Sequence, residues 1–172
     1  MSTRRIVTTL GLVTAALITL TTAPVALAQP GPAEQSWIKA EPLADGSTQL
    51  TILGSPGAGS GFAPAAVPTT SPAVSRQFVP SGQQVNCPTG YACAVVIAIG
   101  GGGYFFKFYN YGTYTLSNWT GIGEYRNYQT GGAAFRAYGS AGQSLGCMAA
   151  GTGSNEINWN PIYTLKLTAA PC

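Results

Sequence analysis

The chain has 172 residues, with eight Lys or Arg against five Asp or Glu, no histidine, and much Gly, Pro, Thr, Ser, Asn and Tyr. So few charges cannot build Lys/Glu-rich helix surfaces, and the composition is that of an exported all-β protein. The lack of histidine removes Ser-His-Asp and Cys-His nucleophile arrangements and the usual nitrogen ligand of zinc.

At the N-terminus, Arg4 and Arg5 precede an apolar run from Ile6 to Leu20, and the stretch closes on Ala26-Leu27-Ala28. This is the pattern of a secretory signal peptide over 1–28, cleaved after Ala28. Thr8, Thr9, Thr14, Thr19 and Pro24 interrupt the run, which disfavours a retained membrane helix of about 20 apolar residues. Loss of 1–28 leaves six basic and five acidic residues. A nearly neutral chain has no surface to replace the counterions of several phosphates and no basic run for anionic lipid. The mature protein is expected to be extracellular, with neither nucleic acid nor membrane as partner.

Residues 29–81 are thick with Pro, Ala, Gly and Ser and predict a flexible leader or linker. Within it, 37–53 carries Asp45-Gly46, a type I′ turn signal, between two candidate strands. A lone hairpin is marginal in water, so this one needs the main domain as a partner.

From Asn86 the texture changes: all nine tyrosines, Trp119, Trp159 and all four cysteines lie beyond it. The folded domain is expected over 82–172, small enough to need cross-links or a very apolar core. It opens on CPTGYAC, Cys87 to Cys93. Four cysteines in an exported chain imply two bridges among three pairings. Zinc is disfavoured by the wide Cys spacing and the missing histidine, and Cys-x-x-Cys redox chemistry is absent. Pro88 and Gly90 can turn the chain back, so Cys87–Cys93 is the expected local bridge, leaving Cys147–Cys172. On the loop-entropy model the two stabilise by roughly 2 and 3.5 kcal/mol.

Short strands are predicted at 93–99, 104–111, 114–117, 124–128, 133–138, 144–149 and 162–168, separated by Gly-rich turns, and no segment has a helical period. The fold class expected is all-β, a small Greek-key sandwich with two disulfides. A partial repeat supports it: Gly102-Gly103-Tyr104-Phe105-Phe106-Lys107-Phe108-Tyr109 aligns with Gly131-Gly132-Ala133-Ala134-Phe135-Arg136-Ala137-Tyr138. Alternation puts Phe106, Phe108, Phe135 and Ala137 in the core and Lys107, Tyr109, Arg136 and Tyr138 on the other face.

Little points to chemistry. The domain's only acids, Glu124 and Glu156, are too few for a confident glycosidase pair and read as ordinary surface glutamates. Gly100 to Gly103 lacks the following Gly-Lys-Ser/Thr of a phosphate loop. Asn110 and Asn155-Glu156 are the loosest of calcium candidates, because carboxylates are scarce. No metal and no cofactor is expected. The aromatic set Tyr109, Tyr111, Tyr114, Trp119, Tyr125 and Tyr128 either forms a recognition surface or packs as a second layer. Asn118-Trp119-Thr120 matches a glycosylation acceptor pattern.

CPTGYAC at 87–93, FYNYGTYTLSNWTGIGEYRNYQTGGA at 108–133 and NWNPIYTLKL at 158–167 resemble the peptidase inhibitor family I36, small secreted proteins of actinobacteria. The resemblance implies a βγ-crystallin-like Greek-key fold and a proteinase inhibitor, the founding member acting on metalloproteinases. The chain departs from the family pattern at Tyr111, where a cysteine often stands, and after Cys93, where AVVIAIGGGG is unusually apolar. No disulfide-closed reactive loop can be matched, so inhibitory residues stay unassigned. The leading expectation is an exported inhibitor that binds an extracellular protease without chemistry of its own. The rivals are a carbohydrate or cell-envelope binding module and a structural or calcium-binding crystallin-like domain.

Overall fold

The segment Ala92–Ile97, ACAVVI, is buried at all six positions, which is the pattern of a strand covered on both faces. In the computed structural model, which describes residues 37–53, 66–98 and 100–172, this strand lies at the centre of the middle one of three antiparallel sheets. The described residues belong to one compact unit, Glu34–Cys172, and contain strands and turns but no helix.

In chain order the strands are β1 (Ile38–Pro42), β2 (Thr48–Ile52), β3 (Thr69–Ser71), β4 (Ser75–Val79), β5 (Gln84–Cys87), β6 (Ala92–Ile97) and β7 (Gly103–Phe108). They continue with β8 (Gly112–Ser117), β9 (Ile122–Asn127), β10 (Ala134–Tyr138), β11 (Ser144–Ala149), β12 (Thr152–Asn158) and β13 (Thr164–Thr168). A hairpin sheet has the order β1-β2-β5, the middle sheet β12-β9-β6-β7-β4, and a front sheet β11-β10-β13-β8-β3.

Alternation along β6 and β7 divides the apolar side chains between two cores. Ala94, Val96, Phe106 and Phe108 meet Phe135, Leu165 and Leu167 of the front sheet, with Trp119 and Trp159. Val95, Ile97 and Phe105 point the other way, onto Ile38, Leu50, Ile52 and Val85 of the hairpin sheet. Full burial of each such side chain stabilises by about 1.5–3 kcal/mol. The unusual apolarity after Cys93 thus has a cause: a third layer covers the far face of β6.

The connectivity interlocks two four-strand units. In β6 to β9, strands β9-β6-β7 are neighbours in the middle sheet while β8 crosses to the front sheet. In β10 to β13, strands β11-β10-β13 are neighbours in the front sheet while β12 crosses to the middle one. Each unit lends its third strand to the other's sheet, an order compatible with the crystallin-like Greek-key expectation. The repeat seen in the sequence does not follow this symmetry. It pairs β7, second in its unit, with β10, first in the other. Its core face is nonetheless real, since Phe106, Phe108, Phe135 and Ala137 share the central core, with the Phe108 and Phe135 rings 5.4 Å apart.

The folded unit extends further towards the N-terminus than the expected boundary at 82. The hairpin over 37–53 is present and finds its partner in β5. Its connection spans Leu43 to Ser47 rather than a two-residue turn, with Ser47 N donating to Asp45 Oδ1 at 2.9 Å. Beyond it, β3 borders β8 and β4 borders β7. Both are short and mostly exposed. The polar stretch expected to be linker is placed chiefly by its backbone, which completes the sheet edges, with Val79 entering the second core and Val74 packing against the first. The rest of the expected leader, and the signal-peptide region, lie outside the described residues.

The disulfides pair Cys87 with Cys93 and Cys147 with Cys172. The first joins β5 of the hairpin sheet to β6 of the middle sheet, and the second ties the C-terminus to β11. Between β6 and β9, Trp159 Nε1 donates to Val95 O at 2.9 Å from a fully buried indole. Gly123 makes this possible: a Cβ there would stand 1.9 Å from Val95 O and 2.2 Å from Trp159 Nε1.

On the hairpin side of β9, the Glu124 carboxylate is fully buried and accepts a charged hydrogen bond from Arg126, while its Oε2 has no hydrogen-bond partner. Glu124 is therefore not the surface residue expected. Burial pushes its carboxyl up to about 7 from an ordinary 4.5, against the lowering pull of Arg126. A carboxyl that holds its proton more tightly folded than unfolded favours the fold below about 4.5, and that contribution is lost as pH rises through about 7. The wild type is expected to lose on the order of 2 kcal/mol across this window, and Glu124→Gln to lose none of it. Urea unfolding on both sides of the window checks this, and equal declines in both proteins would contradict it.

Candidate functional site

The connection from β7 to β8, Tyr109-Asn110-Tyr111, crosses from the middle sheet to the front sheet and forms the rim of an open cleft of about 380 Å³. Pro72, Ala73 and Val74, between β3 and β4, make one wall. Tyr91, inside the Cys87–Cys93 loop, and Lys107 on β7 complete it with Thr113 and Tyr114.

The rim is fixed from below. Tyr114 is buried, sets its ring edge-on to Phe108 at 5.1 Å, and donates its hydroxyl to Asn110 O at 2.7 Å. Burial raises the Tyr114 phenol above its ordinary value, so it stays a donor. Gln129, also buried, donates Nε2 to Tyr109 O at 3.2 Å. The carbonyls of Tyr109 and Asn110 are thus held while the neighbouring rings face solvent, Tyr109 at 62% exposure and Tyr111 at 55%. Tyr109 leans on Tyr91 with centroids 5.1 Å apart, and Lys107 Nζ lies 5.9 Å from the Tyr91 centroid. The result is a shelf of aromatic rings with one cation beside it and little left to order on binding.

The structure sorts the six aromatics of the expected recognition surface. Tyr109, Tyr111 and Tyr114 come together here. Trp119 does not: it is buried in the central core, 4.4 Å from Phe106 and 4.8 Å from Trp159, and donates Nε1 to Thr69 O at 2.9 Å. Tyr125 packs on Phe135 and Trp159 in the same core, and burial raises its phenol too. Tyr128 packs against the second core. Trp119 sits in the turn after β8, where strand alternation does not apply. Tyr125 faces the core because Glu124 and Arg126 take the opposite face of β9.

Sequence reasoning missed Tyr91 as a site residue and used Lys107 only as part of the repeat. A tyrosine inside a bridged loop was the available signal for the first. Asn118, of the glycosylation pattern, adopts φ 61° and donates Nδ2 to Val67 O at 3.2 Å. Among the described residues, no three His, Cys, Asp or Glu side chains converge as metal ligands would.

Compared with known proteins, the chain matches no family model, no curated protein and no solved structure.

Proposed function

We propose that this is an exported, non-catalytic recognition protein whose ligand surface is the tyrosine cleft, and that its ligand is a glycan. The observation that carries the reading is the pair of exposed rings, Tyr109 and Tyr111, held on carbonyls that Gln129 and Tyr114 fix. Flat aromatic faces pack against the C–H faces of sugar rings, and Lys107, Asn110 and Thr113 offer partners for hydroxyls. Export is supported by the signal-peptide pattern and by two disulfides, which persist in oxidising surroundings.

Tyr109→Ala is expected to weaken oligosaccharide binding about tenfold, the loss of one well-placed aromatic contact, with the melting temperature unchanged because the ring is exposed. Titration calorimetry of the purified, oxidised protein against soluble neutral and acidic oligosaccharides checks this. Absence of binding to every sugar, or equal binding by the variant, would contradict it.

A proteinase inhibitor is the second reading, favoured by the resemblance and by the rim itself. A protruding segment with both carbonyls fixed suits insertion into a protease cleft, because little entropy remains to be lost. It predicts that micromolar protein slows at least one of a panel of secreted metallo- and serine proteases, and that Tyr111→Ala relieves the inhibition.

A further inference from the structure

We propose that the glycan is anionic, and that it runs from the tyrosine cleft across the outer face of the front sheet over Lys166 and Arg136; this rests on the cleft reading above. The strand register supplies the path. Thr113, which lines the cleft, stands directly opposite Lys166, Lys166 stands opposite Arg136, and Arg136 opposite Cys147. Residues directly opposite share a face of the sheet, and this is the outer one, because Tyr114, Phe135, Leu165 and Leu167 beside them enter the core. With strands about 4.8 Å apart, Arg136 lies about 10 Å from Thr113.

The charge distribution makes the path positive. No Asp or Glu occurs in the five strands of the front sheet, and none lines the cleft. The acids among the described residues are elsewhere: Glu41 pairs with Lys39, Asp45 bonds Ser47 within the hairpin connection, Glu124 is buried against Arg126, and Glu156 is on β12. Among the described residues, neither Lys107, Lys166 nor Arg136 is in an ion pair. Arg136 gives one N–H to Pro171 O and keeps further donors. Like charges directly opposite one another destabilise a strand pair, and no Asp or Glu on this sheet offsets Lys166 beside Arg136. A ligand that brings carboxylates or phosphates does.

The experiment compares binding of three polymers to the purified, oxidised protein: polygalacturonate, a phosphomannan and neutral dextran. The two acidic polymers separate the carboxylate from the phosphate source of charge. At least one is expected to bind about tenfold more tightly than dextran, and to lose that advantage in high salt. Lys166→Gln with Arg136→Gln, both on the outer face, is expected to abolish the advantage without lowering the melting temperature, since it also removes the like-charge pair, and to leave neutral-sugar binding unchanged. Equal affinity for all three polymers, or an unchanged preference in the double variant, overturns the inference while the cleft reading stands. Indifference of every sugar to Tyr109→Ala overturns both, as does binding of short duplex DNA at the same affinity independent of Tyr109.

Discussion

Gly123→Ala is expected to destabilise the protein by about 3–5 kcal/mol and to lower its melting temperature by roughly 10 °C or more. The methyl group would fall 1.9 Å from Val95 O and 2.2 Å from Trp159 Nε1, so the indole has to withdraw. Withdrawal breaks the Trp159 to Val95 hydrogen bond and leaves a buried donor and acceptor unpaired, at about 1–3 kcal/mol each. It also disturbs the edge-on contact of Trp159 with Trp119, and Trp119 in turn anchors β3 through Thr69 O. One methyl group therefore acts on both the middle and the front sheet. Gly146→Ala on the edge strand β11, where a Cβ meets nothing within 4 Å, is the control and should shift stability by less than about 0.5 kcal/mol. Similar melting curves for the two variants would show that the Trp159 indole is not seated between β6 and β9.

A fragment beginning at residue 82 is expected to fail to fold. It lacks β1 and β2 of the hairpin sheet and both outer strands, β3 and β4. Val95, Ile97 and Phe105 would lose Ile38, Leu50 and Ile52 as cover. Six buried apolar side chains at about 1.5–3 kcal/mol each amount to about 9–18 kcal/mol, against a total stability of about 5–15 kcal/mol for a whole domain. The Cys87–Cys93 bridge would then tie β6 to a β5 with no sheet to join. The expected product binds a hydrophobic dye and shows no cooperative melting transition, whereas a chain from Glu34 melts cooperatively. A fragment from 82 that melts sharply, within a few degrees of the longer chain, would contradict the three-layer description.

What could be read from the residues, and what could not, follows from how locally each signal is written. Asp45-Gly46 between two alternating segments announced the hairpin. Pro88 and Gly90 announced the short bridge, and alternation around Phe106, Phe108 and Phe135 placed the central core. The third layer was less legible because AVVI after Cys93 says only that both faces are covered, not by what. Strands β3 and β4 carry little apolar signal, since most of their side chains face water and Val79 alone enters a core. Strand β12, TGSNEIN, is equally silent and owes its place to pairing with β9. The site divides in the same way. Tyr109 and Tyr111 were evident as a cluster, but Tyr91 and Lys107 reach the same cleft from the bridged loop and β7, a convergence that only the sheet order creates. For Trp119 and Tyr125 the residues left surface and packed layer open, and the structure takes the packed alternative, because Trp119 folds in beyond the end of β8 and Glu124 with Arg126 takes the other face of β9.

The most direct test of the cleft as ligand surface is an NMR titration of the isotope-labelled protein with a soluble acidic oligosaccharide. Amide shifts are expected to move at Tyr91, from Lys107 to Tyr114, and then at Lys166 and Arg136, while the hairpin sheet stays still. Shifts confined to the hairpin sheet, or none at millimolar sugar, would contradict it.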